Sequence, residues 1–188
     1  FWGYGTAAWG DAGVILPWTV YEMTGDRTIL EENYESITRY MQWLSSQEET
    51  IEGIRYTHIG SGTATGDWLS YAPIESRYVS MAYYAYVAQL MDSICTTLGK
   101  HREAESYRTL YGNIRQEFQQ RYMFPDGNLK ERSQTAYLLA LRFDLLPKQY
   151  REAARKTLRH LIEENDYCLS TGFVGTGILC STLTDEGM

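Results

Sequence analysis

Apolar positions recur at steps of three and four along most of the chain, the spacing of helices that bury one face. Residues 12–24 carry Val14, Ile15, Trp18 and Tyr21 at that spacing, and Gly25 is a suitable stop because it accepts a left-handed turn. Pro17 falls near the first turns of this segment, where proline is better tolerated. Residues 27–46 set Ile29, Leu30, Tyr34, Ile37, Tyr40, Met41 and Leu44 on one face, with Glu31, Glu32, Glu35 and Arg39 on the other. Residues 47–77 break the pattern with glycines, threonines, serines and Pro73. The segment reads as a long irregular loop, and loops of that length usually carry function. Helix returns over 78–98, apolar nearly all round and therefore buried, and over 101–123, which is amphipathic. After the turn Pro125-Asp126-Gly127-Asn128, a mostly apolar helix is predicted over 133–144 and a charged one over 148–165. Gly172, Gly175 and Gly177 lead into a last apolar stretch.

The order repeats: an apolar, aromatic helix, a short turn, then a more charged helix. Thr24-Gly25-Asp26, Leu98-Gly99-Lys100 and Leu146-Pro147-Lys148 occupy equivalent places. Repeated helix pairs build either an open solenoid or a closed ring. The spacings between these turns are unequal, 74 residues and then 48, whereas a tetratricopeptide array keeps a strict period of about 34. A ring is the better fit, with apolar helices inside, charged helices outside and the long loops gathered at one rim.

Composition narrows the chemistry. Of the 188 residues, 44% are hydrophobic and the net charge is -7, which fits a globular domain with a real core and argues against a phosphate-binding basic face. Neither nucleic acid nor a membrane is an expected partner, and no apolar run of 18 residues is present. Three scattered cysteines, Cys95, Cys168 and Cys180, suit neither a disulfide framework nor a zinc site and read as inert buried thiols or simple packing residues. The chain opens on Phe1 without a signal segment, so it is expected to be a piece of something longer, and its compartment is left open.

Aromatic residues are 14% of the chain, with 16 Tyr and 5 Trp, and two of the Trp stand beside carboxylates. Trp9 and Asp11 open the first helix; Asp67 and Trp68 lie in the long loop. Sugars offer apolar C–H faces to an indole and hydroxyls to a carboxylate, so this pairing at two equivalent places points to a carbohydrate subsite. The competing reading makes Trp9 and Trp68 core residues and makes Asp11 and Asp67 helix N-caps. Ser170–Thr176 is glycine-rich but lacks the lysine and spacing of a phosphate loop, and reads as a tight turn opening a helix. His58 lies in the long loop and could touch a ligand, while His101 and His160 sit on charged, solvated faces. Tyr83, Tyr84, Tyr86 and Tyr137 are packing residues by default. Glu22, on an apolar helix, is either buried and paired or lines a cavity.

A series of strings extends over nearly the whole chain: Ala7–Thr19, Gly25-Asp26-Arg27, Gly66-Asp67-Trp68-Leu69, Ala82–Tyr86, Gln134–Tyr137, Ala140–Phe143 and Leu169–Thr176. In order and spacing they resemble the catalytic domain of bacterial α-L-rhamnosidases, glycoside hydrolase family 78. The resemblance implies an all-α fold, part of an (α/α)6 toroid of six-hairpin type. Residues 1–188 would then be a fragment of one catalytic domain, with a site-lining loop at about 47–77. It implies removal of terminal α-L-rhamnose from oligosaccharides or glycosides with inversion, and no cofactor. It places Trp9, Asp11, Asp67 and Trp68 beside the sugar. The family's general-acid and general-base motifs have no counterpart in these residues, so no catalytic carboxylate is assigned. Two alternatives stand beside this one: a non-catalytic helical-repeat or carbohydrate-binding module, or a different (α/α)6 carbohydrate enzyme, since fold alone does not fix function. A partial ring would expose apolar inner helices, so self-association of the segment is also expected.

Overall fold

The computed structural model describes residues 6–51, 53–56 and 66–188. His58 and the part of the long loop around it lie outside the described residues. Seven α-helices are present among those described: α1 (Ala12–Thr24), α2 (Thr28–Ser46), α3 (Ser76–Thr97), α4 (His101–Tyr122), α5 (Gln134–Arg142), α6 (Arg151–Glu164) and α7 (Phe173–Asp185). A single 3-10 turn, Lys148–Tyr150, leads into α6.

These helices form consecutive hairpins. α1 packs on α2, α3 on α4 and α5 on α6, while α1, α3, α5 and α7 lie side by side in that order. The odd-numbered helices are therefore the inner layer and the even-numbered ones the outer layer. Sequence pattern explains the division. On α2 the buried set is Leu30, Ile37, Met41 and Leu44, one stripe at helical spacing, and on α6 it is Ala154, Leu158 and Leu161. α3 is covered by α4 on its outer side and by α1 and α5 on its flanks, so it buries residues all round, from Tyr78 to Cys95. Tyr78 packs edge to face on Phe118 and Tyr122 where α3 meets α4, at 4.9 and 4.8 Å, and those two rings lie tilted at 5.2 Å from each other. Each such ring removes enough apolar surface from water to contribute about 2–3 kcal/mol.

The turns from inner to outer helix repeat in structure as well. Gly25 and Gly99 both take the left-handed conformation, at φ 71° and 75°. The third turn does this without glycine: α5 ends at Arg142, and Asp144 holds φ 51°. Lys100 N–H donates to Cys95 O and Leu145 N–H to Ala140 O, the same six-residue closure. α7 ends likewise, with Gly187 at φ 68° and Met188 N–H donating to Leu183 O.

Three expectations are corrected. The segment 47–77 is not wholly irregular, because Glu49–Ile51 (β1) and Ile54–Tyr56 (β2) pair as an antiparallel hairpin with Glu49 opposite Tyr56. The β-branched Thr50, Ile51 and Ile54 and the left-handed Gly53 suit such a hairpin. Glu22 is exposed, so of its two readings the buried, paired one is overturned. Only Cys95 is a buried thiol; Cys168 and Cys180 are exposed. No helix among the described residues is long and apolar enough to cross a membrane.

Candidate functional site

Alternation of inner and outer helices sends α1, α3, α5 and α7 in the same direction, so their N-terminal ends share one rim. Trp9 and Asp11 precede α1, Gly66–Ser70 precedes α3, Ser133–Thr135 opens α5, and Gly172 precedes α7. The interactions among them are direct. Trp9 and Trp68 meet edge to face at 6.4 Å, and Trp68 stacks on Phe173 at 5.2 Å with 29° between the planes. The three residues are 41%, 40% and 60% exposed, so within this chain they form one solvent-facing aromatic strip.

Both carboxylates lie behind that strip. Asp11 has no exposed surface. It occupies the cap position of α1 but takes no amide of that helix. Its Oδ2 accepts the Ala8 N–H at 2.8 Å, and its Oδ1 accepts the Tyr40 hydroxyl at 2.8 Å. The first of these bonds is local and holds Ala8 at φ 72°, a strained angle for a residue with a Cβ. Trp9 leaves the backbone directly after that residue. Burial pushes the Asp11 carboxyl up to about 6, against the opposing pull of the Ala8 amide and the Tyr40 hydroxyl. The same carboxylate raises the buried hydroxyl of Tyr83 on α3, an effect second to that of Tyr83's own burial, and Asp67 adds to it.

Asp67 is 4% exposed and caps a helix, though not the one that follows it in sequence. Its oxygens accept the Gly172 N–H at 2.7 Å, the Val174 N–H at 2.8 Å, the Gly175 N–H at 3.3 Å and the Thr135 hydroxyl. A carboxylate at the start of α7 meets unpaired amides and the positive end of the helix dipole, two reasons for it to be held there. The loop is pulled against α7 closely enough that Phe173 N–H reaches Trp68 O at 3.0 Å. Only glycine fits at 172: a Cβ there would lie 2.1 Å from Trp68 O and 2.7 Å from Asp67 Oδ1. Leu69, next along, sits at φ 63°. Ser170–Thr176 is thus the tight turn that opens an inner helix, and the amides of Ser170 and of Gly172 to Thr176 are filled by protein.

The structure brings Trp9, Asp11, Asp67 and Trp68 to one place. Phe173, Tyr40 and Thr135 join them without having been singled out. Phe173 had a signal, an aromatic residue directly after a glycine at the mouth of an inner helix. Tyr40 and Thr135 had none, since each sits on a helix as an ordinary packing residue would. No cluster of three or more His, Cys, Asp or Glu suited to a metal is found among the described residues.

Residues 1–188 match the bacterial alpha-L-rhamnosidase 6 hairpin glycosidase domain. The chain belongs to this family. Its inner and outer layers are accordingly part of an (α/α)6 six-hairpin toroid. An alpha-L-rhamnosidase from Streptomyces avermitilis is 37% identical over 186 residues, which are 98% of this chain and 17% of that protein. One from Formosa agariphila is 34% identical over 192 residues, 97% of this chain and 20% of that protein. Among solved structures, the Streptomyces avermitilis enzyme complexed with L-rhamnose superimposes with a TM-score of 0.84, covering 97% of this chain and 17% of that one. The native enzyme from Aspergillus terreus gives 0.87 at 31% identity, covering 98% and 22%. This rhamnosidase-family chain thus spans about a fifth of the length of the relatives it matches.

Proposed function

We propose that this chain forms the aromatic wall of a rhamnoside site in an inverting α-L-rhamnosidase that removes terminal α-L-rhamnose from oligosaccharides or glycosides. The carrying observation is the exposed contact of Trp9 with Trp68 at the rim, in a chain of the rhamnosidase family. Indole faces take the C–H face of a pyranose, and two rings set at 65° offer it a corner and not a single plane. Asp11 and Asp67 lie beside the sugar position and act on it from beneath, by holding the backbone from which each indole projects. The loop at about 47–77 contributes Asp67 and Trp68 to this wall. Inversion needs a general acid and a general base about 6.5–9.5 Å apart with water between them. The buried Asp11 and Asp67 are engaged by the protein's own donors and are given neither role, so the reacting carboxylates are assigned outside residues 1–188.

The test is hydrolysis of a panel of aryl glycosides by the full-length protein. Release from the α-L-rhamnoside alone, weakened at least tenfold by Trp68→Ala, is the expected result. Release from a different sugar moves the assignment to another (α/α)6 carbohydrate enzyme. Binding without release from any member of the panel makes the protein a carbohydrate-binding module.

A further inference from the structure

We propose that Phe173 is a third wall of this platform and a determinant of sugar affinity, and that Asp67 is the residue that positions it. The inference rests on the rhamnoside reading above and extends it to α7. Phe173 is the first residue of an inner helix, is 60% exposed, and its ring stacks on Trp68. A single exposed ring is ordinary, but a contiguous patch of exposed rings carries information. Here Phe173 continues an exposed strip that already contains Trp9 and Trp68. The near-parallel stack widens the apolar face available to a pyranose beyond what the two indoles give.

The alignment of the stack is set from below. Trp68 directly follows Asp67, and Phe173 lies between Gly172 and Val174, whose amides the Asp67 carboxylate accepts at 2.7 and 2.8 Å. The Thr135 hydroxyl binds the same carboxylate from α5, and Phe173 N–H closes onto Trp68 O at 3.0 Å. One side chain thus fixes the relative place of two rings that are 105 residues apart in sequence. Asp67 never needs to touch the sugar to control how it is bound.

The experiment measures kcat and KM on an aryl α-L-rhamnoside with the full-length protein. Phe173→Ala is expected to raise KM about three- to tenfold, the loss of one stacking contact, and to lower kcat much less. Phe173→Trp should restore KM, whereas Phe173→Leu should not. Asp67→Asn turns an amide group towards backbone N–H donors and should raise KM by shifting both rings. In the double variant with Phe173→Ala, the part of the Asp67→Asn effect that acts through the Phe173 ring should vanish, so the two KM effects should fall short of additive. A KM unchanged by Phe173→Ala, in an enzyme that Trp68→Ala impairs, overturns the role of Phe173 and leaves the rhamnoside reading standing. Full additivity in the double variant overturns the positioning role of Asp67. A full-length protein that releases no rhamnose overturns the underlying reading and this inference with it.

Discussion

A carboxylate with almost no exposed surface must find its stabilisation inside the protein, and the two acids of the rim do so differently. Asp67 replaces water with the amides of α7 and the Thr135 hydroxyl. Removing it in Asp67→Ala would leave those donors unsatisfied, and a loss of about 2–4 kcal/mol in urea denaturation is expected. Among the described residues Asp11 has fewer donors, and burial raises its carboxyl from 3.8 to about 6, so it holds its proton to higher pH. Its folded value lies above its unfolded one, so the native state keeps a proton that the unfolded chain has already lost. The contribution to stability is full below about pH 4, falls as pH rises towards 6, and by pH 7 has cost on the order of 3 kcal/mol. Asp11→Asn keeps the shape and an acceptor for Ala8, and Tyr40 can turn to accept from the new amide. The difference in stability between Asp11→Asn and the parent chain should therefore move in favour of the variant between pH 4 and 7; a constant difference would refute the assignment. Trp9, Asp11, Asp67 and Trp68 were legible in sequence as a pair of clusters, and the competing reading of Asp67 as a cap was legible too. The helix it caps was not, because the two are joined across 105 residues by a contact that no local pattern encodes.

Helix turns were the clearest feature at the scale of elements, since glycine after an apolar run fixes both a stop and a left-handed residue. Gly25 and Gly99 act in this way. The third turn misled in detail: Pro147 marks the approach to α6, but the reversal is made four residues after the start of the motif Ala140–Phe143, at Asp144. A side chain with a Cβ at φ 51° costs about 1 kcal/mol relative to glycine. Asp144 offsets that cost by accepting from Arg151 at 3.1 Å and facing Arg115 at 3.7 Å. Both pairs are partly exposed and worth less than 1 kcal/mol each. Asp144→Gly should therefore change the stability of the chain by less than about 1 kcal/mol, while Asp144→Ala, which keeps the strain and loses the pairs, should destabilise it by about 1–2 kcal/mol. Equilibrium denaturation of the two variants side by side decides this, and equal losses would show that the strain is absent. The hairpin of β1 and β2 escaped notice for a related reason: three-residue strands are too short for alternation to stand out among glycines and threonines.

At the scale of the whole molecule, the inner layer is covered unevenly. α3 and α5 lie between neighbours on both sides, whereas α1 has α3 on one side only among the described helices. Leu16, Val20 and Met23 on α1 are all exposed as a result. An amphipathic surface helix would turn its polar face outward at this place, but α1 is apolar almost throughout and has none to turn. The family is built on six hairpins, and this chain spans about a fifth of its relatives' length, so the expected cover for that face is a further hairpin of the same toroid. Residues 1–188 produced alone would have to bury Leu16, Val20 and Met23 in some other way, and association with a second copy is the simplest. Light scattering of the isolated segment should then give a mass well above 21.7 kDa that increases with concentration. Replacing Leu16 and Met23 by Glu should return it towards the monomer, because charge at those positions opposes any apolar contact. In a full-length six-hairpin protein the same pair of substitutions should instead destabilise the fold, by about 2–5 kcal/mol, as expected for charges forced into a core. An isolated segment that is monomeric and melts cooperatively would mean that α1 tolerates water and that its exposed apolar face does not drive association.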